Sequence, residues 1–142
     1  MPRSMPSKRF SRGLLEKKPI GVLIIKRHWL QKILDGEKIW EIRGCATKKR
    51  GLVLLAQSRA GGSIIGQAHL VECRRLYKQD MIENMDKHCI QDLSLVQYKN
   101  PHAWIFQDAA RYKQPLKYDH PKGSVVWVKI DNVRQLPSDS SE

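Results

Sequence analysis

The chain has 142 residues, 41% of them apolar and 28% charged, and its 26 Lys and Arg against 14 Asp and Glu give a net charge of +12. That length suits one domain with its own core, and no apolar run approaches the roughly 18–20 residues that span a bilayer. Three cysteines without a C-x-x-C pair argue against a disulfide framework or structural zinc, while the charge points to polyanionic partners, nucleic acid before an anionic membrane.

Residues 1–18, MPRSMPSKRFSRGLLEKK, carry six basic side chains against Glu16 and leave +7 on the rest of the chain. They read as a disordered basic arm able to touch a phosphate backbone without sequence preference. A secretory signal is excluded by the lack of a continuous apolar stretch, and an intracellular setting, cytoplasm or nucleus, is expected. A mitochondrial transit peptide stays open as an alternative: Arg and Ser are frequent, although Pro2 and Pro6 interrupt the helix such peptides need.

The predicted domain runs from residue 19 to 131. PIGVLIIK (19–26) has the β-branched run of a buried strand. RHWLQKILDG then sets Trp29, Leu30, Ile33 and Leu34 on one helical face, with Gly36 suited to a left-handed C-terminal cap. KIWEIR (38–43) alternates with period two, so Trp40 and Ile42 form a core face and Glu41 and Arg43 look the other way. GLVLLAQS (51–58) and SIIGQAHLVECRRL (63–76) read as a hairpin across RAGG. KQDMIENMDKHC predicts a helix with Met81, Ile82 and Met85 on one face and Asp80 and Glu83 at capping-box spacing. DLSLVQYKN fits a second short helix, and AWIFQD (103–108) and SVVWVKI (124–130) are the last strands, separated by the loop KQPLKYDHPKG. The polar, acidic end, 132–142, reads as a frayed tail. Six strands with two to three helices give an α+β chain, and a small mixed β-barrel is the economical way to bury such a sheet without exposed edges.

The unusual feature is GEKIWEIRG (36–44), three charges on a core-forming strand. On pattern alone, an ion pair of Glu41 with Arg43 on a solvated face accounts for it. The order strand, helix ending in Gly, then G-x-K-x-x-E-x-R resembles the opening of an ASCH domain, a branch of the PUA-like barrel superfamily. IIGQAHLVECRRL, HAWIFQDAARYKQPLKY (with His102 where the family has an aromatic residue) and HPKGSVVWVKI resemble later family segments, so the likeness spans about residues 20–130.

This resemblance implies a barrel with a cleft between the sheet and the helical insertion that receives RNA or a modified nucleoside. Lys38 and Arg43 would offer cations to phosphate or a base carbonyl, and Glu41 would accept from an exocyclic amine or hold a cation in place. One family group, N4-acetylcytidine amidohydrolases, has G-x-K-T-x-T-x-R; Lys38 and Arg43 match it, but Glu41 stands at the nucleophile position and Ile39 replaces the first Thr. A carboxylate cannot become an alkoxide, so that mechanism does not carry over; Glu72 and Glu83 are possible equivalents of the group's acidic partner. RNA cleavage, another family activity, would use Lys38 with Glu41 as a catalytic pair, aided by Tyr112 or His69. A third possibility is an interaction module of the transcription-coactivator type, which calls for an apolar barrel mouth.

Further candidate ligand residues are Ser58 and Arg59 in SRAGGS, His69 by strand alternation, and Trp104 as a base-stacking platform, each set against a plain structural role. The five His are scattered without ligand spacing, so no metal or other cofactor is expected. The expected state is a monomer whose partner is RNA or a modified nucleoside, with no membrane association.

Overall fold

In a computed structural model, the structure describes residues 20–120 and 126–130. The basic arm read over 1–18 and the tail over 132–142 lie outside the described residues. Strands β1 (Ile20–Ile25), β2 (Trp40–Arg43), β3 (Gly51–Gln57), β4 (Ser63–Arg75), β5 (His102–Lys117) and β6 (Trp127–Ile130) form one curled sheet in the order β2-β5-β4-β3-β1-β6. It is a half-barrel: β1 and β3 run parallel, the other neighbours are antiparallel, and β2 and β6 form the two edges. Among the described residues no helix is long and apolar enough to cross a membrane.

Helix α1 (Arg27–Leu34) connects β1 to β2 and lays Leu30, Ile33 and Leu34 on the sheet against Leu23, Ile25, Leu55, Leu70 and Phe106. Each such fully buried aliphatic or Phe side chain stabilises the fold by about 1.5–3 kcal/mol, so this layer fixes where α1 sits. Gly66 makes the close approach possible, since a Cβ there would lie 2.5 Å from Leu34 Cδ2 and from the Ala110 carbonyl oxygen. The helix ends as its sequence predicts, with Gly36 at φ +83° and the Glu37 and Lys38 amides donating to Lys32 O. That turn delivers Lys38 to the start of β2.

In the insertion between β4 and β5, the helix predicted over KQDMIENMDKHC is split in two, and the second short helix predicted over DLSLVQYKN is reduced to one turn. The insertion is α2 (Lys78–Glu83), α3 (Met85–His88) and a 3-10 turn at Leu93–Leu95, with the chain breaking at Asn84. The Tyr77 amide donates to Asp80 Oδ2, so Asp80 acts from the third helical position, not as the cap residue. Met81 is buried but Ile82 is exposed, because successive residues of a helix point about 100° apart and α2 buries only one side.

β5 is also longer than AWIFQD and absorbs the first five residues of the predicted Pro-containing loop, Lys113 to Lys117. Pro115 is tolerated because the β4–β5 register shifts between Ile64 and Gly66, which pair with Leu116 and Arg111; the ladder is interrupted around the proline. The first two residues of the predicted strand 124–130 lie outside the described residues.

The two faces of β2 follow the predicted alternation, and its apolar face is buried as expected, in a cluster apart from the main core. Trp40 and Ile42 pack with Leu76, Met81, Ile90 and Ala103 in a separate cluster under the insertion. Glu41 and Arg43 look to the other side, where Glu41 lies opposite Trp104, a member of the main core. The charged face of the strand therefore looks into the hollow of the half-barrel.

Candidate functional site

Three ionic side chains meet on that inner face. Lys38 Nζ donates to the His88 carbonyl at 2.6 Å, lies 3.7 Å from Glu41 Oε1 and stands 4.5 Å from the centre of the Trp29 ring. The second carboxylate oxygen, Glu41 Oε2, accepts from Arg43 Nε at 3.0 Å, and Arg43 Nη2 donates to Ile24 O at 3.0 Å. The Arg43 guanidinium also lies 5.6 Å from the Trp104 ring. Lys38 is 1% exposed and Glu41 5%. Glu41 thus bridges two cations, and each cation is held to a backbone carbonyl of another segment.

Burial pushes the Lys38 ammonium below the ordinary Lys pKa, against the opposing pull of Glu41. His88, which supplies the carbonyl, is itself buried. The Ile90 amide donates to its Nδ1, which leaves the proton on Nε2 to donate to Met81 O at 2.8 Å. Desolvation holds this imidazole below the usual His pKa, so the neutral ring ties α2, α3 and Ile90 together behind Lys38.

The triad lines a cavity of about 520 Å³. Its walls come from the end of β1 (Ile24, Lys26), the start of α1 (Trp29), β2, the β3–β4 loop, the end of the insertion (Ile90, Tyr98), and Tyr118 with His120 after β5. Lys26, Lys38, Arg43 and Arg59 supply four cations against the single carboxylate of Glu41. Tyr118 hydroxyl and His120 Nδ1 are hydrogen bonded at 2.8 Å, and burial raises the Tyr118 pKa. The size lies within the roughly 300–1,000 Å³ of small-ligand pockets, and buried charge with aromatic walls suits a polar, planar, anionic guest.

Of the residues predicted for a site, Lys38, Glu41, Arg43, Ser58 and Arg59 line this cavity together. The Ser58 amide donates to Ile25 O, which seats the loop on the end of β1. The others are placed elsewhere. Trp104 is 1% exposed, donates from Nε1 to Cys45 O and stacks on Trp127 at 5.6 Å, leaving no face open to a base. His69 is exposed on β4 outside the cavity, as are Glu72 and Glu83, and Glu83 accepts from Gln79. Tyr112 packs in a third apolar cluster with Val22 and Leu54, donates to Gln67 Oε1, and has its pKa pushed up to about 12 by burial. None of these five side chains lines the cavity.

Trp29, Tyr98 and Tyr118 are aromatic cavity residues that sequence alone did not select. Trp29 shares its helix with true core residues, and the two tyrosines lie in segments without periodicity. Among the described residues, no group of three or more His, Cys, Asp and Glu is gathered as a metal site would require.

Comparison with known proteins agrees with this architecture. No curated protein sequence matches the chain significantly. Among solved structures, an ASCH protein from Zymomonas mobilis is similar, with a TM-score of 0.59 at 16% identity over 72% of this chain and 74% of that one. A single-residue variant of the same protein aligns with a TM-score of 0.63 at 13% identity, covering 80% of this chain and 89% of that one. At such identities the likeness establishes the fold. The sequence model described as "ASCH domain" matches residues 23–116, which include α1, the charged strand, the hairpin, the insertion and nearly all of β5. The chain belongs to the ASCH domain family.

Proposed function

We propose that this protein binds RNA or a modified nucleoside, with one base or nucleoside seated in the charged cavity. The observation that carries this reading is the Lys38–Glu41–Arg43 triad, with Lys38 and Glu41 buried and Arg43 partly so, lining an accessible cavity of about 520 Å³. Buried charges stabilise a fold less well than apolar packing does, whereas fixed donors beside a recess are suited to a ligand. Lys38 and Arg43 present N–H donors to base carbonyls or phosphate oxygens. Glu41 has both oxygens engaged, and its role is chiefly to hold the two cations in place, with remaining lone pairs for an exocyclic amine. Arg59, exposed on the loop, suits a phosphate at the rim, and the basic arm of residues 1–18 adds salt-sensitive affinity.

Fluorescence anisotropy with labelled single-stranded RNA, and calorimetry with nucleosides, test the assignment through Lys38→Met and Arg59→Ala. Arg59 is exposed, so Arg59→Ala retains the fold; Lys38→Met keeps the aliphatic stem but removes a buried partner of Glu41, and a urea denaturation curve for that variant separates lost binding from lost stability. Loss of charge-assisted hydrogen bonds predicts roughly tenfold to hundredfold weaker binding. Unchanged affinity in both variants discards the cavity as the binding site.

A hydrolytic reading ranks second and is favoured by one observation, the lowered pKa of Lys38 beside Glu41. A desolvated amine is a better base at neutral pH than an ordinary lysine. Incubation with labelled RNA and with N4-acetylcytidine, with and without divalent metal, separates catalysis from binding alone: product formation lost in Lys38→Met favours the hydrolase.

A further inference from the structure

Tyr98 belongs to two cavities. Beyond the charged one, a second recess of about 450 Å³ lies between the β4–α2 junction and residues 93–101, with Leu76 and Met81 among its walls. Its polar lining is cationic: Arg75, Lys78 and Lys99 contribute to it, and no Asp or Glu does. Two aromatic rings stand open to solvent there, Tyr77 at 61% exposure and Tyr98 at 48%, and the Arg75 guanidinium lies 4.4 Å from the centre of the Tyr77 ring.

Tyr98 is held at the boundary by the last residue of the GEKIWEIRG segment. A Cβ on Gly44 would come within 2.6 Å of Tyr98 Cδ1, so the ring packs directly on this glycine, one residue after Arg43. The same segment that carries the ionic triad therefore also seats the ring shared by the two recesses.

We propose that the second recess is the subsite for the neighbouring nucleotide, so that the ligand is single-stranded RNA of two or more nucleotides and not a free nucleoside. The proposal rests on the charged cavity being a base or nucleoside site. Exposed aromatic rings alternating with cations are the pattern that binds single strands, because every base offers a face to stack and every step a phosphate to neutralise. A duplex keeps its bases stacked and offers neither ring a partner. Tyr98 sits where the strand passes from one recess to the other, and Lys99 is next to it for the connecting phosphate.

The test uses the full chain, a fluorescein-labelled mixed-sequence RNA octamer, and unlabelled nucleoside monophosphates as competitors. The expected result is that the octamer binds at least tenfold more tightly than any monophosphate. Tyr77→Ala with Lys78→Ala and Lys99→Ala, all exposed positions, should weaken the octamer about tenfold and leave monophosphate binding unchanged. The salt dependence of octamer binding should also flatten, by about 0.7 in log–log slope for each phosphate that the variant no longer neutralises. Gly44→Ala, which displaces Tyr98, should weaken the octamer more than the monophosphates.

Equal affinity for octamer and monophosphates, or an octamer affinity unmoved by the triple substitution, overturns the second subsite while leaving the charged cavity as a nucleoside site. Displacement of the octamer by a poly-glutamate peptide as readily as by unlabelled RNA also overturns it. Binding of neither probe removes both readings together.

Discussion

Two ion pairs lie on either side of the turn that ends α1, and they behave as opposites. Before Gly36, Asp35 meets Arg111 of β5 at 2.7 Å, and Gln31 accepts from the same guanidinium at 2.7 Å; the pair is 58% and 41% exposed. After it, Lys38 meets Glu41 at 3.7 Å with side chains 1% and 7% exposed. Distance alone would rank the first contact as stronger. Burial reverses the order, because a pair near 4 Å interacts by about 1 kcal/mol in water and about 4 kcal/mol at the effective dielectric of a protein. The clasp at Asp35 ties helix to strand with little energetic consequence, whereas the triad is a set of charges that must remain complete.

Removing the middle of the triad is the strongest way to break this contrast. Glu41→Gln leaves Lys38 and Arg43 buried side by side without a counter-charge, and should lower stability by about 3–5 kcal/mol in urea denaturation. A loss below about 1 kcal/mol would mean that water reaches the triad and that burial does not set its energetics.

A pH series sharpens the contrast at intermediate scale. His88 is neutral in the fold and its pKa lies below the ordinary value near 6.5, so as pH falls the unfolded chain takes up the proton first. Stability should decline from about pH 6.5 downward, by at most about 1.4 kcal/mol per unit, and level off beneath the folded-state pKa. His88→Gln should remove this slope, which urea midpoints measured between pH 5 and 8 would register.

The smallest effect is expected at the exposed clasp. Arg111→Ala should change stability by no more than about 1 kcal/mol, and added salt should shrink even that. A larger loss would show that the clasp fixes the angle of α1 on the sheet.

Much of this architecture was legible because it is local. The β-branched run of β1, the apolar face of α1, the left-handed Gly36 and the period-two alternation of β2 each follow from side-chain chemistry within a few residues. What escaped depends on distant partners. Trp40 and Ile42 were recognisable as buried but not as packed under the insertion, since that requires Leu76 and Ile90 to be brought across. Trp104 and Trp29 look equally apolar in sequence, yet one is sealed by Trp127 and the other faces the cavity. The long β5 was hidden by Pro115, a residue that usually ends a strand and here occupies a break in the ladder. Lys38, Glu41 and Arg43, which line the cavity, stood out through the charged strand and its family resemblance; Tyr98 and Tyr118, which also line it, carry no local signal.

The sheet order also governs when the cavity can form. β2 does not join β1, the strand made just before it; it waits for β5, pairing Trp40 with Ile105, while Tyr118 and His120 complete the far wall. During synthesis at about 5–20 residues per second, the charged segment therefore leaves the ribosome seconds before the strand that will shelter it. In that interval its ions rest in water at no energetic cost. The cavity is consequently a late-maturing feature, completed when the chain's last third closes over its first.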